Sequence, residues 1–586
     1  MKLSRTSKRR LSLSVVFVLL VTGYFVIRLV DIQVVRAGEL NDLSLNKRAL
    51  EVTTYGARGS IVDANGVVLA SSVERYNITA SPRLIAPFKR TVDGVKTSVS
   101  VADAIAELSV ATGRDPAILL NAVSVDPTSD FAYLSKAVDL SVLTAVRALR
   151  IPWVWDETQP GRTYPNGAVA GNLLGFIGTD GPQAGLELTE SDCLDATNGT
   201  SVYERGSDGV RIPGSTVTTE ESTDGSTLRL TVDSDLQWYL QQVVAARAQE
   251  LGADWATAVV VDVKNGHLKA VVDYPSVDPN NVDGSSVNSL GSLAFSTPYE
   301  PGSTMKALTV ASLLDQGLID PSTQFTVPGR IQLAGNNFIQ DAWSHGDIRF
   351  TAAGVLVNSS NTGISIMSDL MRPADSREYM LKFGLNSQTG VGFNGESVGS
   401  VPEIQNWDQV TNYAIHFGQG LSLTSVQVAG IYQTLGNGGL RMPLTLVEGC
   451  AHSDGSVTEV PSTQGVQAVS KTAADTTVQI LENVVSSGTG ALSRLLQVPG
   501  YRIAAKSGTA EVSENGQYGD QRIISIAGVV PAEAPQYAVV VTFGRPDTMK
   551  TSTGAASAFS TIVTQVIKAF RITPSTEPAP NIPLVW

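Results

Sequence analysis

Hydrophobic positions near the start of the chain run without a charge from Leu11 to Ile27, and they cover every face of a helix. Arg28 interrupts, and apolar residues resume as far as Val35. A membrane-spanning helix needs about 17–25 apolar residues, so this run lies at the short end. A basic cluster precedes it: Lys2, Arg5, Lys8, Arg9 and Arg10. No small-residue cleavage site follows; Arg28, Asp31 and Gln33 stand there instead. The pattern therefore predicts an uncleaved anchor over 11–35. Positive charge stays on the cytoplasmic side, which places 1–10 inside and everything beyond the anchor outside.

Beyond the anchor the periodicity changes. Gly59–Asp63, a turn at Ala64-Asn65-Gly66 and Val67–Leu69 predict a hairpin, because Asn-Gly flanked by β-branched residues favours a tight turn. Val101–Val110 and Leu140–Leu149 predict helices, and Phe131–Ala137 an extended or irregular stretch. Gly199–Gly225, rich in Gly, Ser, Thr and charge, predicts a loop or hairpin arm at a boundary. Thr227–Val232 then alternates as a strand does. Asp235–Gln249 carries Leu236, Leu240 and Val243 at helical spacing. Thr257–Val263 and His267–Val272 flank Lys264-Asn265-Gly266 as a second hairpin, Ile523–Val530 and Tyr537–Phe543 predict strands, and Ala555–Phe570 a helix. Strands at both ends of one segment with helices between them imply a sheet that draws from both ends. The expected division is 36–225, 226–571 and a tail over 572–586. That tail carries four prolines and is expected to be poorly ordered.

Composition narrows the function. The 586 residues are 42% hydrophobic and 17% charged, which is globular, and the length implies several modules. The net charge of −13 repels phosphate backbones and argues against a nucleic-acid partner. The two cysteines, Cys193 and Cys450, lie far apart with no metal-ligand spacing, and two unpaired buried thiols are expected.

Three short elements carry candidate chemistry. In the first, Ser303-Thr304-Met305-Lys306, Pro301-Gly302 opens a run that is apolar on nearly every face up to Gln316, with Gly317 ending it. That describes a buried helix with Ser303 in its first turn, where the macrodipole favours a developing alkoxide. Lys306 lies three residues on, on the same face. A serine needs a base, and a desolvated lysine can be one. Alone the motif is weak, since Ser44-Leu45-Asn46-Lys47 matches it too.

The second element is Ser359-Ser360-Asn361, the only Ser-x-Asn between Ser303 and Lys506. Ser286-Val287-Asn288 and Ser513-Glu514-Asn515 match elsewhere, and a helix cap explains such a tripeptide equally well. The third is Lys506-Ser507-Gly508-Thr509, the only Lys-[Ser/Thr]-Gly in the chain. It predicts a strand whose glycine admits another backbone closely, here a substrate lying antiparallel, with Lys506, Ser507 and Thr509 suited to a carboxylate. The backbone N–H groups of Ser303 and Thr509 are candidates for an oxyanion hole.

The three in this order are the set of penicillin-binding proteins and class A β-lactamases. The chain resembles the class B penicillin-binding proteins, most closely the septal, cell-division type. The likeness extends to Arg58-Gly59 through Gly66, to Arg162-Thr163-Tyr164-Pro165 and Gly167, and to Leu174-Gly175-Phe176 and Gly185-Leu186-Glu187. It continues through Leu230–Gln237, Tyr274–Asn280, Phe417–Thr424 and Ser487–Gly490. Departures are small: Ala64 stands where arginine is usual, Ala307 where proline is common, and Ser507 where threonine is commoner.

The resemblance implies an α+β multidomain fold: a transmembrane helix, an elongated pedestal over 36–225, and a transpeptidase domain over 226–571 with a five-stranded antiparallel sheet between helices. No glycosyltransferase module is expected ahead of the pedestal. The implied roles fall on Ser303 as nucleophile, Lys306 as base, Ser359 as proton relay linked to Lys506, and Asn361 on a substrate peptide group. The implied substrates are peptidoglycan stem peptides on a lipid-linked precursor, with β-lactams as mimics. No metal or organic cofactor is implied. The membrane, a polytopic glycosyltransferase and divisome proteins are the implied partners. A D,D-carboxypeptidase or β-lactamase-like hydrolase of the same fold, and a catalytically idle divisome scaffold, are the competing expectations.

Overall fold

A computed structural model describes residues 5–92, 94–178, 180–204, 212–487, 491–514 and 517–586. The chain divides into two compact units, Met1–Ala57 with Ala196–Asp224, and Arg58–Asp195 with Gly225–Trp586. The first unit opens with an α-helix over Arg5–Val30 that passes through a π-helical turn, Asp31–Val35. Lys8–Val35 is long and apolar enough to cross a membrane, and none of its most apolar stretch is buried. That fits a single-pass anchor. Helix Ala37–Arg48 follows and carries the second Ser-x-x-Lys match. A three-stranded antiparallel sheet, Ala49–Thr54, Gly199–Glu204 and Val217–Glu220, completes the unit. Two of its strands lie in the stretch expected to be a loop or arm, of which residues 205–211 fall outside the described ones.

In the second unit, Ile61–Val62 and Val68–Ala80 pair as the Asn-Gly hairpin predicts. Phe131–Ala137 resolves into strand Ala132–Val138. Three helices, Val101–Thr112, Pro116–Ser124 and Leu140–Ala148, cover the Val68–Ala80 strand around buried Ile78, Leu108, Leu143 and Trp153. The sheet continues across the chain: Ile61–Val62 pairs in parallel with Thr227–Leu230, which pairs antiparallel with Val447–Ala451.

Residues 58, 162, 164 and 187, from three separate sequence signatures, meet here. The buried Glu187 carboxylate accepts from Arg58 Nε at 2.7 Å and from Arg162 Nε at 2.6 Å. The Tyr164 hydroxyl donates to it at 3.3 Å, and burial beside this carboxylate pushes the phenol pKa up.

Cys193 and Cys450 form a disulfide, with Cα atoms 5.9 Å apart. This corrects the expectation of two free thiols. Pairing of Thr227–Leu230 with Val447–Ala451 brings Cys450 opposite Leu228, while Ser226 N donates to Cys193 O, so the fold draws together what 257 residues separate.

A further sheet of the second unit has five antiparallel strands: β1 (Trp255–Asp262), β2 (Leu268–Tyr274), β3 (Ala504–Glu514), β4 (Gln517–Val530) and β5 (Tyr537–Gly544), in the order β2-β1-β5-β4-β3. It draws from both ends of its segment, as the pattern predicts. The period of two sorts residues to opposite faces. Val259, Val261, Val540 and Ala527 enter one core with helices α1 (Lys306–Asp315), α2 (Ser425–Gly436) and α3 (Lys471–Ser486). Ala258, Val260, Val541 and Ile526 enter the other, against Ser234–Leu251 and Thr553–Ala569.

The tail over 572–586 is ordered, which corrects its reading as a loose segment. Proline carbonyls remain free to accept, and the fold uses them: Asn483 Nδ2 donates to Pro580 O at 3.1 Å and Thr351 Oγ1 to Pro583 O at 2.7 Å. Thr351 N donates to Leu584 O at 3.1 Å, Trp586 N to Arg349 O at 3.2 Å, and the Arg349 guanidinium stands 5.0 Å from the Trp586 ring. Gly354 has no room for a Cβ, which would lie 1.8 Å from Leu584 O. Removing the residues after Ile572 is expected to destabilise the protein by about 1–3 kcal/mol, the net value of a few such hydrogen bonds. A thermal midpoint that does not move on truncation would show that the tail is unbound in solution.

Candidate active site

Ser303 sits in a 3₁₀ turn, Gly302–Met305, which runs into α1 at Lys306. The sequence predicts a buried helix here, and only the tighter winding of its first turn differs. Three backbone approaches hold the turn. Gly302, at φ +57°, donates its N–H to Gly418 O at 2.9 Å. A Cβ on Gly418 would lie 2.1 Å from Gly302 O, which explains the glycine of the Phe417–Thr424 signature. A Cβ on Gly508 would lie 2.8 Å from Pro301 O and 2.5 Å from Ser525 Oγ. The glycine of the third motif therefore admits the chain's own Ser303 turn, where a substrate backbone was expected.

Asn361 begins a helix, Asn361–Ser368. Its N-cap is Ser360, whose Oγ accepts from Gly363 N at 2.8 Å. Capping thus falls to the middle residue of the motif, which frees Ser359. Ser359 has φ +57°, a left-handed conformation that non-glycine residues seldom adopt. Alternation along β3 puts Lys506 on the same face as Ala504, toward α1, and leaves Ser507 and Thr509 to line the cleft.

The two lysines converge on Ser359. Lys506 Nζ donates to Ser359 Oγ at 2.8 Å. Lys306 Nζ lies 3.3 Å from the same Oγ, 2.5 Å from Ser359 O and 2.7 Å from Asn361 Oδ1. Both lysines are buried. Burial lowers the Lys506 pKa to about 7. It lowers that of Lys306 well below the ordinary lysine value, with the Lys506 charge adding to the effect and the Asp341 charge opposing it.

Ser303, Ser359, Asn361, Ser507 and Thr509 line a cleft of about 750 Å³. Sequence reasoning missed Phe338, Asp341, Trp343, Glu511, Arg522 and Ser552, which also line it. Only their place in the fold marks them. Arg522 pairs with Glu511 at 3.0 Å, and Thr509 Oγ1 accepts from Ser552 N at 3.1 Å. Of the decoy motifs, Ser44–Lys47 lies in the other compact unit and Ser286–Asn288 at a short 3₁₀ turn whose residues are not among those lining the cleft. Asn515 of the third decoy, like residues 488–490 of the Ser487–Gly490 signature, lies outside the described residues.

Residues 256–564 match the penicillin binding protein transpeptidase domain, and residues 53–230 the penicillin-binding protein dimerisation domain. The penicillin-binding protein PbpB of Mycobacterium tuberculosis is 35% identical over 555 residues, which cover 90% of this chain and 80% of that protein. The peptidoglycan D,D-transpeptidase FtsI of Escherichia coli K12 is 30% identical over 546 residues, 92% of this chain and 87% of that one. Among solved structures, penicillin binding protein 3 of M. tuberculosis complexed with ampicillin superposes with a TM-score of 0.70 at 29% identity, covering 91% of this chain and all of that one. A peptidoglycan synthetase from Bifidobacterium adolescentis gives 0.71 at 28%, covering 92% and 100%. With relatives of this identity over most of its length and both domain families in the expected order, the chain belongs to the class B penicillin-binding proteins.

Proposed function

We propose that this protein is a membrane-anchored peptidoglycan D,D-transpeptidase of septal wall synthesis, acylated on Ser303. The observation that carries the assignment is the pair of buried lysine amines held on one serine hydroxyl beside the Ser303 turn. A neutral Lys306 amine has two N–H bonds and one lone pair. Ser359 O and Asn361 Oδ1 take the two N–H bonds. The lone pair is then left for a hydroxyl proton, from Ser303 during attack.

Ser303 attacks the carbonyl of the penultimate D-alanine of a donor stem, and the Ser303 and Thr509 amides stabilise the oxyanion. Ser359, held by Lys506, passes a proton to the departing D-alanine. An amine of a neighbouring stem then takes the acyl group, and Ser303 recovers its proton. Ser507 and Thr509 bind the donor carboxylate. Gly508 supports that binding through the close packing it permits. Residues 36–225 act as pedestal and 226–571 as the transpeptidase domain. The basic N-terminus lies in the cytoplasm and the cleft outside. A polytopic glycosyltransferase and divisome proteins are the partners this placement suits.

The test is labelling of the detergent-solubilised full chain with a fluorescent penicillin, on wild type and Ser303→Ala. Stable labelling of the wild type and none of the variant is expected. Rapid loss of label would favour the hydrolase reading. A folded wild type that takes no label would sink the acylation chemistry.

A further inference from the structure

One buried carboxylate at the cleft has no place in that mechanism. Asp341 follows the short strand Phe338–Gln340, and its side chain is wholly shielded from solvent. Oδ1 accepts from the backbone N–H groups of Asn361 at 2.5 Å and Thr362 at 3.0 Å. Oδ2 accepts from Ser360 Oγ at 2.7 Å and lies 2.9 Å from His345 Nε2. Four partners on one carboxylate satisfy it fully, and three of them belong to consecutive residues, 360–362. The residue before Asp341 completes the hold: Gln340 O accepts from Asn361 Nδ2 at 3.1 Å. That bond decides the orientation of the amide. With Nδ2 committed to a carbonyl, Oδ1 must face Lys306 Nζ, 2.7 Å away.

We propose that Asp341 is a positioning residue for acylation, a buried carboxylate that clamps residues 360–362 and so holds Asn361, whose amide Gln340 O orients, against Lys306. Its charge has a second effect, because among the described residues it is the carboxylate that acts on Lys306. Lys506 faces Lys306 from β3, and Asp341, backed by His345, faces it from the segment after Phe338–Gln340. The Glu511–Arg522 ion pair also lines the cleft, while Ser303, Ser359 and Asn361 bring no charge.

An asparagine separates the clamp from the charge. Asp341→Asn keeps an acceptor for the two backbone N–H groups and can donate to a rotated Ser360 hydroxyl, but it is neutral. Without the negative charge a protonated Lys306 is less favoured, so its pKa falls and the base form persists to lower pH. The acid limb of the acylation profile is therefore expected to move down by about half a unit to one unit. Asp341→Ala removes the clamp, and acylation is expected to slow about ten- to a hundredfold at every pH, the usual result of misplacing a catalytic group by about an ångström.

The measurement is the rate of fluorescent penicillin acylation against pH for the full chain, wild type, Asp341→Asn and Asp341→Ala, with thermal melts in parallel. A residue that serves stability alone would lower the melting midpoint and leave the limb of Asp341→Asn in place. A limb that stays put, or a wild-type rate in Asp341→Ala, overturns the assignment. If Asp341→Ala does not fold, Asp341→Asn decides. The inference rests on the acylation chemistry proposed above; absence of labelling in folded wild type fells both, whereas wild-type labelling with unshifted variants fells only this one.

Discussion

Replacement of Lys306 by methionine is expected to slow penicillin acylation about a hundred- to ten-thousandfold at neutral pH, the range over which a positioned general base contributes. The thermal midpoint is expected to stay within a few degrees of wild type. Methionine fills nearly the same volume, and removing a buried amine relieves a desolvation cost while leaving Asn361 Oδ1 and Ser359 O short of one donor. The pH profile adds a sharper mark. In the wild type the acid limb is expected to follow loss of the Lys306 proton, which burial and the neighbouring Lys506 charge make easy. In the methionine variant that limb disappears and a slow, flat rate remains. Lys306→Arg should fare no better, because a guanidinium stays protonated at any pH tested. A variant acylated within tenfold of wild type would remove Lys306 from the role of base.

The second large effect concerns stability, far in sequence from Ser303. Glu187→Ala leaves Arg58 and Arg162 as buried cations with no carboxylate between them, and Arg162 is almost wholly enclosed. Removing one partner of such a cluster typically costs about 3–5 kcal/mol. Urea unfolding of wild type and variant gives the number directly, and a loss below about 1 kcal/mol would show that the cluster is wetter than its geometry implies. Arg58 also pairs with the exposed Asp195, a contact worth little by itself. Whatever fraction of Glu187→Ala remains folded is expected to take up penicillin at the wild-type rate.

The parts of the molecule that were legible beforehand are those in which chemistry is local. Asn65-Gly66 and Asn265-Gly266 announce their hairpins because φ > 0 is needed within a tight turn, and both glycines have it. Ser303 and Lys306 share a helix face by spacing alone. Lys506 and Ser359, 147 residues apart, could be joined only through the family likeness; in the structure Lys506 Nζ donates to Ser359 Oγ. What stayed hidden is long-range. Asp341 has no motif around it; its meaning comes from Asn361 and Thr362 N–H groups that arrive from another element. Gly508 was visible as an anomaly, but only the fold shows that Pro301 is what presses against it. Cys193 and Cys450 looked unpaired because spacing carries no information on sheet pairing. The prolines of the last fifteen residues suggest looseness by composition, yet their carbonyls are the atoms by which that segment is tied down.

The disulfide gives the chain a closed covalent circuit. Ser303, Ser359 and Asn361 lie within the circuit that Cys193 and Cys450 close, whereas the anchor joins it at Cys193 and β3 lies outside. In the proposed mechanism an acyl group on Ser303 would link the protein to the wall while the first helix, which fits a membrane anchor, would hold it to the membrane. Tension between those two fixed points reaches Cys193 and there divides. One share follows the backbone forward to Ser303, and the other crosses the sulfur bridge to Cys450 and returns from the opposite direction. Two chain segments, one from either side, thus tie the first helix covalently to the turn that holds Ser303, and a pull on an acyl group there would be shared between them.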